Sequence, residues 1–135
     1  MKKVERCSFI VLLLSLSVAT TPNINAQSSK IIKVSEGALR QRAIKTVIPP
    51  FPNEAKKRKA QGVAVVRLNI DERGEVTSVV VLEAPDPSVR GAVANAVGQW
   101  RFKPATWENR PVHLQGKLTF YYVIKRGKAR VENPW

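Results

Sequence analysis

Few residues in this chain are placed to do covalent chemistry. Its one histidine, His113, sits in an alternating stretch, and its one cysteine, Cys7, lies far away near the N-terminus. A metal site needs several converging donors, and this pair does not supply them. Asp71, Glu72 and Glu75 are close in sequence. They lack the alternate acidic spacing of a calcium loop and read instead as the polar residues of a turn. The sequence carries no Gly-x-Ser-x-Gly elbow, no phosphate-cradling glycine loop and no dinucleotide fingerprint. The expectation is a protein that is not an enzyme and uses neither cofactor nor metal. What remains is non-covalent chemistry. The run Lys56, Lys57, Arg58, Lys59 is read first as a solvated helix face and second as a contact for anionic glycan or lipid. Trp100 and Phe102 are read as core, and Arg101 as the partner of a carboxylate or a packed stem.

The elements that must position these residues are legible from periodicity. Ile48-Pro49-Pro50-Phe51-Pro52 is an extended, non-ladder segment, because proline fixes φ and lacks an N–H. Asn53 is then expected to cap a short helix over 54–61 that Gly62 ends. Residues 62–70 alternate, with Ala64, Val66, Leu68 and Ile70 on one face, and predict a strand. Asp71-Glu72-Arg73-Gly74 predicts a hairpin loop with Gly74 at positive φ. The return strand, 75–84, contains Val79-Val80-Val81-Leu82, which suggests burial on both faces. Asp86-Pro87 starts a helix, in which Val89, Ala92, Val93, Ala96, Val97 and Trp100 form one apolar stripe. The clearest strand is the last: Leu114, Gly116, Leu118, Phe120, Tyr122 and Ile124 alternate with polar residues, as in an antiparallel sheet with one solvated face. Residues 27–43 read as a lead-in segment or edge strand, and residues 125–135 as a mobile basic tail. The fold class is α+β: a small antiparallel sheet of about three to four strands, with two helices on one face.

The N-terminus sets the compartment. Lys2, Lys3 and Arg6 precede the apolar run 7–19, which is short for a bilayer-spanning helix and well sized for a signal peptide. Cleavage is placed after Ala26, with Ala19 as the alternative site and an uncleaved membrane anchor as the alternative fate. The remainder has the size of one small domain, here 44–124, and contains no cysteine to cross-link it. The chain carries a formal net charge of +13. Export excludes nucleic acid as its partner and leaves anionic envelope polymers or lipid headgroups, or simply a soluble surface.

Pro49-x-Phe51-Pro52, Ala55, the Gly62 strand, the Gly74 hairpin, the apolar helix, Trp100-Arg101-Phe102-Lys103-Pro104 and Pro111-Val112 before a long strand occur in this order. Together they resemble the C-terminal domain of the TonB family, from about Ile44 to Ile124. Trp100, Arg101, Phe102 and Pro104 form the most specific block. The resemblance implies a periplasmic module that grips extended peptide segments of outer-membrane transporters, or another periplasmic protein, by strand addition. In the family this grip serves energy transduction for transport. An exposed edge strand supplies the free N–H and C=O groups that such binding needs. The strand 112–124 is the expected edge, offering Val112, His113, Gln115, Lys117, Thr119 and Tyr121, with Phe51 and Pro52 flanking the same groove.

Three departures qualify the resemblance. No long Pro/Lys/Glu spacer precedes the domain, the apolar segment 7–19 holds no histidine, and Ile48 stands where glutamine often precedes the motif. The first two favour binding without force transmission, and the third puts a conventional transporter contact in question. The alternative function is a free adaptor that forms a homodimer through its edge, or holds peptidoglycan or an anionic lipid surface by charge.

Overall fold

The computed structural model describes residues 29–133. The signal peptide expected at 1–26 lies outside them. In chain order the elements are β1 (Ile31–Lys33), α1 (Glu36–Arg42), β2 (Ala43–Lys45), α2 (Asn53–Lys57), β3 (Gly62–Ile70), β4 (Val76–Glu83), α3 (Pro87–Gly98), β5 (Arg101–Phe102), β6 (Ala105–Trp107), β7 (Arg110–Lys125) and β8 (Lys128–Glu132). The α+β expectation holds, with a larger sheet. A six-stranded sheet runs β1-β7-β3-β4, with β6 and β8 also paired to β7, and β2 and β5 form a separate two-stranded pair. The sheet is mixed, since β1 runs parallel to β7.

The strongest periodic signals become the sheet's centre. Ala64, Val66, Leu68 and Ile70 of β3 are fully buried, as are Leu118, Phe120 and Tyr122 of β7. β3 and β7 pair over nine consecutive positions, from Gly62 opposite Tyr122 to Ile70 opposite Leu114. Helix α3 starts as its sequence dictates: the Asp86 carboxylate accepts from the Ser88 N–H, and proline follows at the first turn. Its Val89, Val93 and Val97 join Trp100 and Phe102 in the same core as the inner face of the sheet. Each such fully buried side chain contributes about 1.5–3 kcal/mol of transfer free energy. Gly74 closes the β3–β4 turn at φ +83, and a Cβ there would lie 1.9 Å from the Phe102 carbonyl oxygen. Both the turn and the close approach therefore demand glycine.

Several expectations are corrected. Three helices occur among the described residues instead of two, because the lead-in contains α1, capped by Ser35 and anchored by the fully buried Leu39. Helix α2 begins at Asn53, and its N-cap is Pro52 without a side-chain hydrogen bond. The chain has left the helix by Arg58, well before Gly62. Strand β4 is buried on one side only: Val79 and Val81 pack on the core, while Val80 and Leu82 are each 41% exposed. Among the described residues no element covers its outer face, so consecutive valines signal β propensity here and not two-sided burial. The basic tail folds back as β8, with Ile124 opposite Ala129 and Tyr122 opposite Val131. Finally, 112–124 is not a free edge. β1 covers His113 to Gln115 and β8 covers Tyr121 to Lys125 on the side opposite β3.

Candidate functional site

Alternation places the side chains of odd-numbered β7 residues on the solvated face and their N–H and C=O groups toward the side away from β3. The His113 N–H donates to the Lys30 carbonyl, and the Gln115 carbonyl accepts from the Val34 N–H at 2.9 Å. Beyond Gln115 the β1 ladder stops, and β8 begins only at Tyr121. Lys117 and Thr119 therefore face a gap in the outer edge of β7.

Side chains from α1 fill half of that gap. The Glu36 carboxylate accepts from the Thr119 N–H at 2.9 Å and from the Thr119 hydroxyl at 3.0 Å. Arg40, one turn along, donates to the Thr119 carbonyl at 2.9 Å and to Glu36 at 2.7 Å. Glu36 and Arg40 thus satisfy both main-chain groups of Thr119, as a neighbouring strand would. Asn133, just past β8, adds a donor to the same carbonyl at 3.2 Å. Gly116 allows α1 to sit this close, since a Cβ there would lie 2.8 Å from Leu39 Cδ2. Beside this plug lies an open groove of about 430 Å³, whose lining includes Ser35, Arg67, Gln115 and Lys117.

The residues expected from sequence are distributed unevenly around it. Gln115, Lys117 and Thr119 line the groove. Tyr121 is exposed on the same strand but pairs with Glu132 of β8. Val112 is buried and pairs with Ala105 of β6. His113 lies at the far end, with Nε2 3.8 Å from Glu72. Phe51 does not flank the groove. It is 9% exposed and meets Tyr122 edge-on at 5.2 Å within the core, while Pro52 serves as the N-cap of α2. Proline pre-orients Phe51 toward the apolar layer, where its area is better used than in water. Trp100 and Phe102 are core, and the indole N–H donates to the Val47 carbonyl at 2.9 Å. Arg101 pairs with Glu75 at 2.8 Å, and Pro104 is exposed. Glu36 and Arg40 were missed, although a Ser cap followed by an i,i+4 acid–base pair is a readable helix signal.

Titration away from the groove is dominated by one link. Hydrogen bonds from Arg58, at 2.7 and 2.8 Å, and then from Ser88 hold the Asp86 carboxyl well below the usual carboxylate range. Burial pushes the Tyr122 hydroxyl above its usual value. Among the described residues, no group of His, Cys, Asp or Glu is placed to hold a metal ion, and no helix is long and apolar enough to cross a membrane.

A central strand paired over nine residues on one side, an apolar α3 and the Trp100 block together define a comparison. Residues 47–124 match the family described as Gram-negative bacterial TonB protein C-terminal. The chain belongs to the TonB C-terminal family. The fold agrees: a solution NMR structure of the Pseudomonas aeruginosa TonB C-terminal domain superposes with a TM-score of 0.54 at 25% identity, covering 64% of this chain and 89% of that one. Comparison with curated proteins gives no match. TonB C-terminal domains are periplasmic protein-interaction modules, associated with outer-membrane transporters. In this member β1, α1 and β2 precede the matched stretch. The plug on β7 therefore comes from outside the TonB-like portion.

Proposed function

We propose that this chain binds an extended peptide segment of an outer-membrane transporter by strand addition to the outer edge of β7. The incoming segment takes the peptide groups of Lys117 and Thr119 and extends toward Tyr121, Val123 and Lys125 as β8 gives way. The observation carrying this reading is the uneven cover of β7. Its inner edge has a continuous nine-residue ladder, whereas its outer edge has a three-residue parallel strand, two side chains and a five-residue hairpin strand. Short cover on a long strand is readily exchanged, and main-chain pairing tolerates varied partner side chains. Binding is the function assigned; force transmission by this chain alone is not. Isotope-edited NMR with a strand-forming transporter peptide tests the reading. Amides of Lys117, Thr119, Tyr121, Val123 and Lys125 should shift, while those facing β3 change least. Shifts confined to β4, or no shifts at millimolar peptide, would sink it.

A second reading, pairing of two copies, has its own observation. Strand β4 ends the sheet path with an outer edge of eight residues, and Val80 and Leu82 are exposed beside it. Arg90 donates to the Val81 carbonyl on this strand at 3.1 Å. Sedimentation velocity over a hundredfold concentration range distinguishes the readings. A monomer throughout removes self-pairing.

A further inference from the structure

One end of the strand axis gathers cations from two separate segments. Strand β3 runs from Gly62, beside Tyr122, to Ile70, beside Leu114. At the Ile70 end lies the turn of Asp71, Glu72, Arg73 and Glu75, where Arg101 pairs with Glu75. At the other end, about 25–30 Å away for a nine-residue strand, lie the β7–β8 hairpin and the helix α2 corner. These two segments are far apart in sequence, and the fold brings them together: the Ile124 N–H donates to the Gln61 side chain at 2.9 Å. Lys125, Arg126, Lys128 and Arg130 surround one hollow of about 380 Å³. A second hollow, of about 530 Å³, lies between the hairpin and α2, with Lys56 and Lys59 on its α2 side and Ile124, Gly127 and Ala129 on the other. The one carboxylate in the hairpin strand, Glu132, is held by Lys125. The turn keeps its shape at two residues with positive φ, Arg126 at 51° and Gly127 at 72°.

We infer that the hairpin and α2 together form a docking surface for the phosphate headgroups of an anionic bilayer. All six cationic side chains are exposed, and among the described residues only Lys125 of the hairpin is engaged, by Glu132, so the other heads are open to an anionic surface. A bilayer presents phosphates as a dense array, which suits cations spread over two neighbouring hollows better than an isolated carboxylate would. Half-buried Ile124 and Ala129 form an apolar floor along which the lysine stems can lie while the ammonium groups reach outward. Attraction of this kind acts within a Debye length and adds with each cation near the surface. The Lys117–Thr119 gap lies outside the lining of both hollows, whereas β8 belongs both to the docking hairpin and to the cover that gives way to a peptide, so the two bindings meet only at β8.

Flotation of the full chain with vesicles tests this. Phosphatidylglycerol-containing vesicles are compared with pure phosphatidylcholine, so that any contribution of the apolar run 7–19 appears in both. The expected result is preferential, salt-sensitive binding to the anionic vesicles, reduced by about tenfold or more in the triple variant Arg126→Glu/Lys128→Glu/Arg130→Glu. A charge-matched triple variant elsewhere, Arg73→Glu/Lys103→Glu/Arg110→Glu, should retain most of the binding. Circular dichroism confirms that both variants are folded. Equal loss in the two variants would reduce the effect to net charge and overturn the proposal. So would equal binding to both kinds of vesicle. Binding to isolated cell-wall glycan but not to vesicles, abolished by the hairpin variant, would overturn the lipid assignment in favour of a glycan one.

Discussion

At the scale of single residues, the groove is governed by Thr119 and the two side chains that cap it. Its N–H and hydroxyl donate to Glu36, and its carbonyl accepts from Arg40. Hydrogen bonds involving a charged partner are worth about 1.5–3 kcal/mol each, so the plug is a real competitor for any incoming strand. Glu36→Ala is therefore expected to speed hydrogen exchange at the Thr119 amide and to tighten peptide binding by about tenfold. Unchanged exchange at Thr119 would show that the cap does not protect it in solution. Gly74 carries a different constraint, since a Cβ would fall 1.9 Å from a backbone oxygen at a φ of +83. Gly74→Ala should cost more than about 2 kcal/mol in denaturant unfolding, because neither the φ nor the Phe102 backbone can yield cheaply.

At the scale of elements, the informative joint is between α2 and α3. Arg58 follows α2, Asp86 caps α3, and their bidentate pair ties the two helices. The Asp86 carboxyl is depressed, first by Arg58 and then by Ser88. Its contribution to stability is thus fully present above the unfolded carboxylate value of about 4 and is lost as pH falls through the lower folded value. Urea unfolding between pH 6 and pH 2.5 should show part of its acid sensitivity removed in Asp86→Asn, and an identical slope in the variant would contradict the link. The elements also differ in how far the sequence announces them. β3, α3 and β7 were legible because each buries a long stripe against one core, and periodicity records that burial directly. β8 was not. Its apolar content is only Ala129 and Val131, and it becomes a strand by pairing with a partner already in place. β1 was legible only as an edge strand or lead-in somewhere in 27–43, since its parallel pairing leaves no local turn to read. The site shared this fate. The residues of β7 were legible, but the neighbours that cover the strand are short, polar and fixed by tertiary contact, so its free length was overestimated. Phe51 was misplaced because a proline-flanked aromatic reads equally well as a groove wall or as core.

At the scale of the whole molecule, the described fold is a TonB-like unit with an N-terminal addition laid on its central strand. The matched stretch, 47–124, holds most of the core, whereas the described part of the addition contributes one fully buried side chain, Leu39. Losing that side chain costs about 2–5 kcal/mol by analogy with leucine-to-alanine truncations in cores. The remaining β7–β3–β4 layer under α3 keeps its own apolar contacts. A chain lacking residues 1–42 should therefore stay folded, with a lower melting temperature. It also exposes the outer edge of β7 from His113 to Phe120, and an uncovered edge strand invites pairing with another chain. The truncated protein is accordingly expected to bind the transporter peptide more tightly and to associate with itself as concentration rises. Peptide titration and sedimentation velocity on the same preparation read the two effects separately. If the truncated chain remains folded and monomeric, with unchanged affinity for the peptide, then the addition does not guard the edge. The role of Glu36 and Arg40 would then be confined to holding α1 in place.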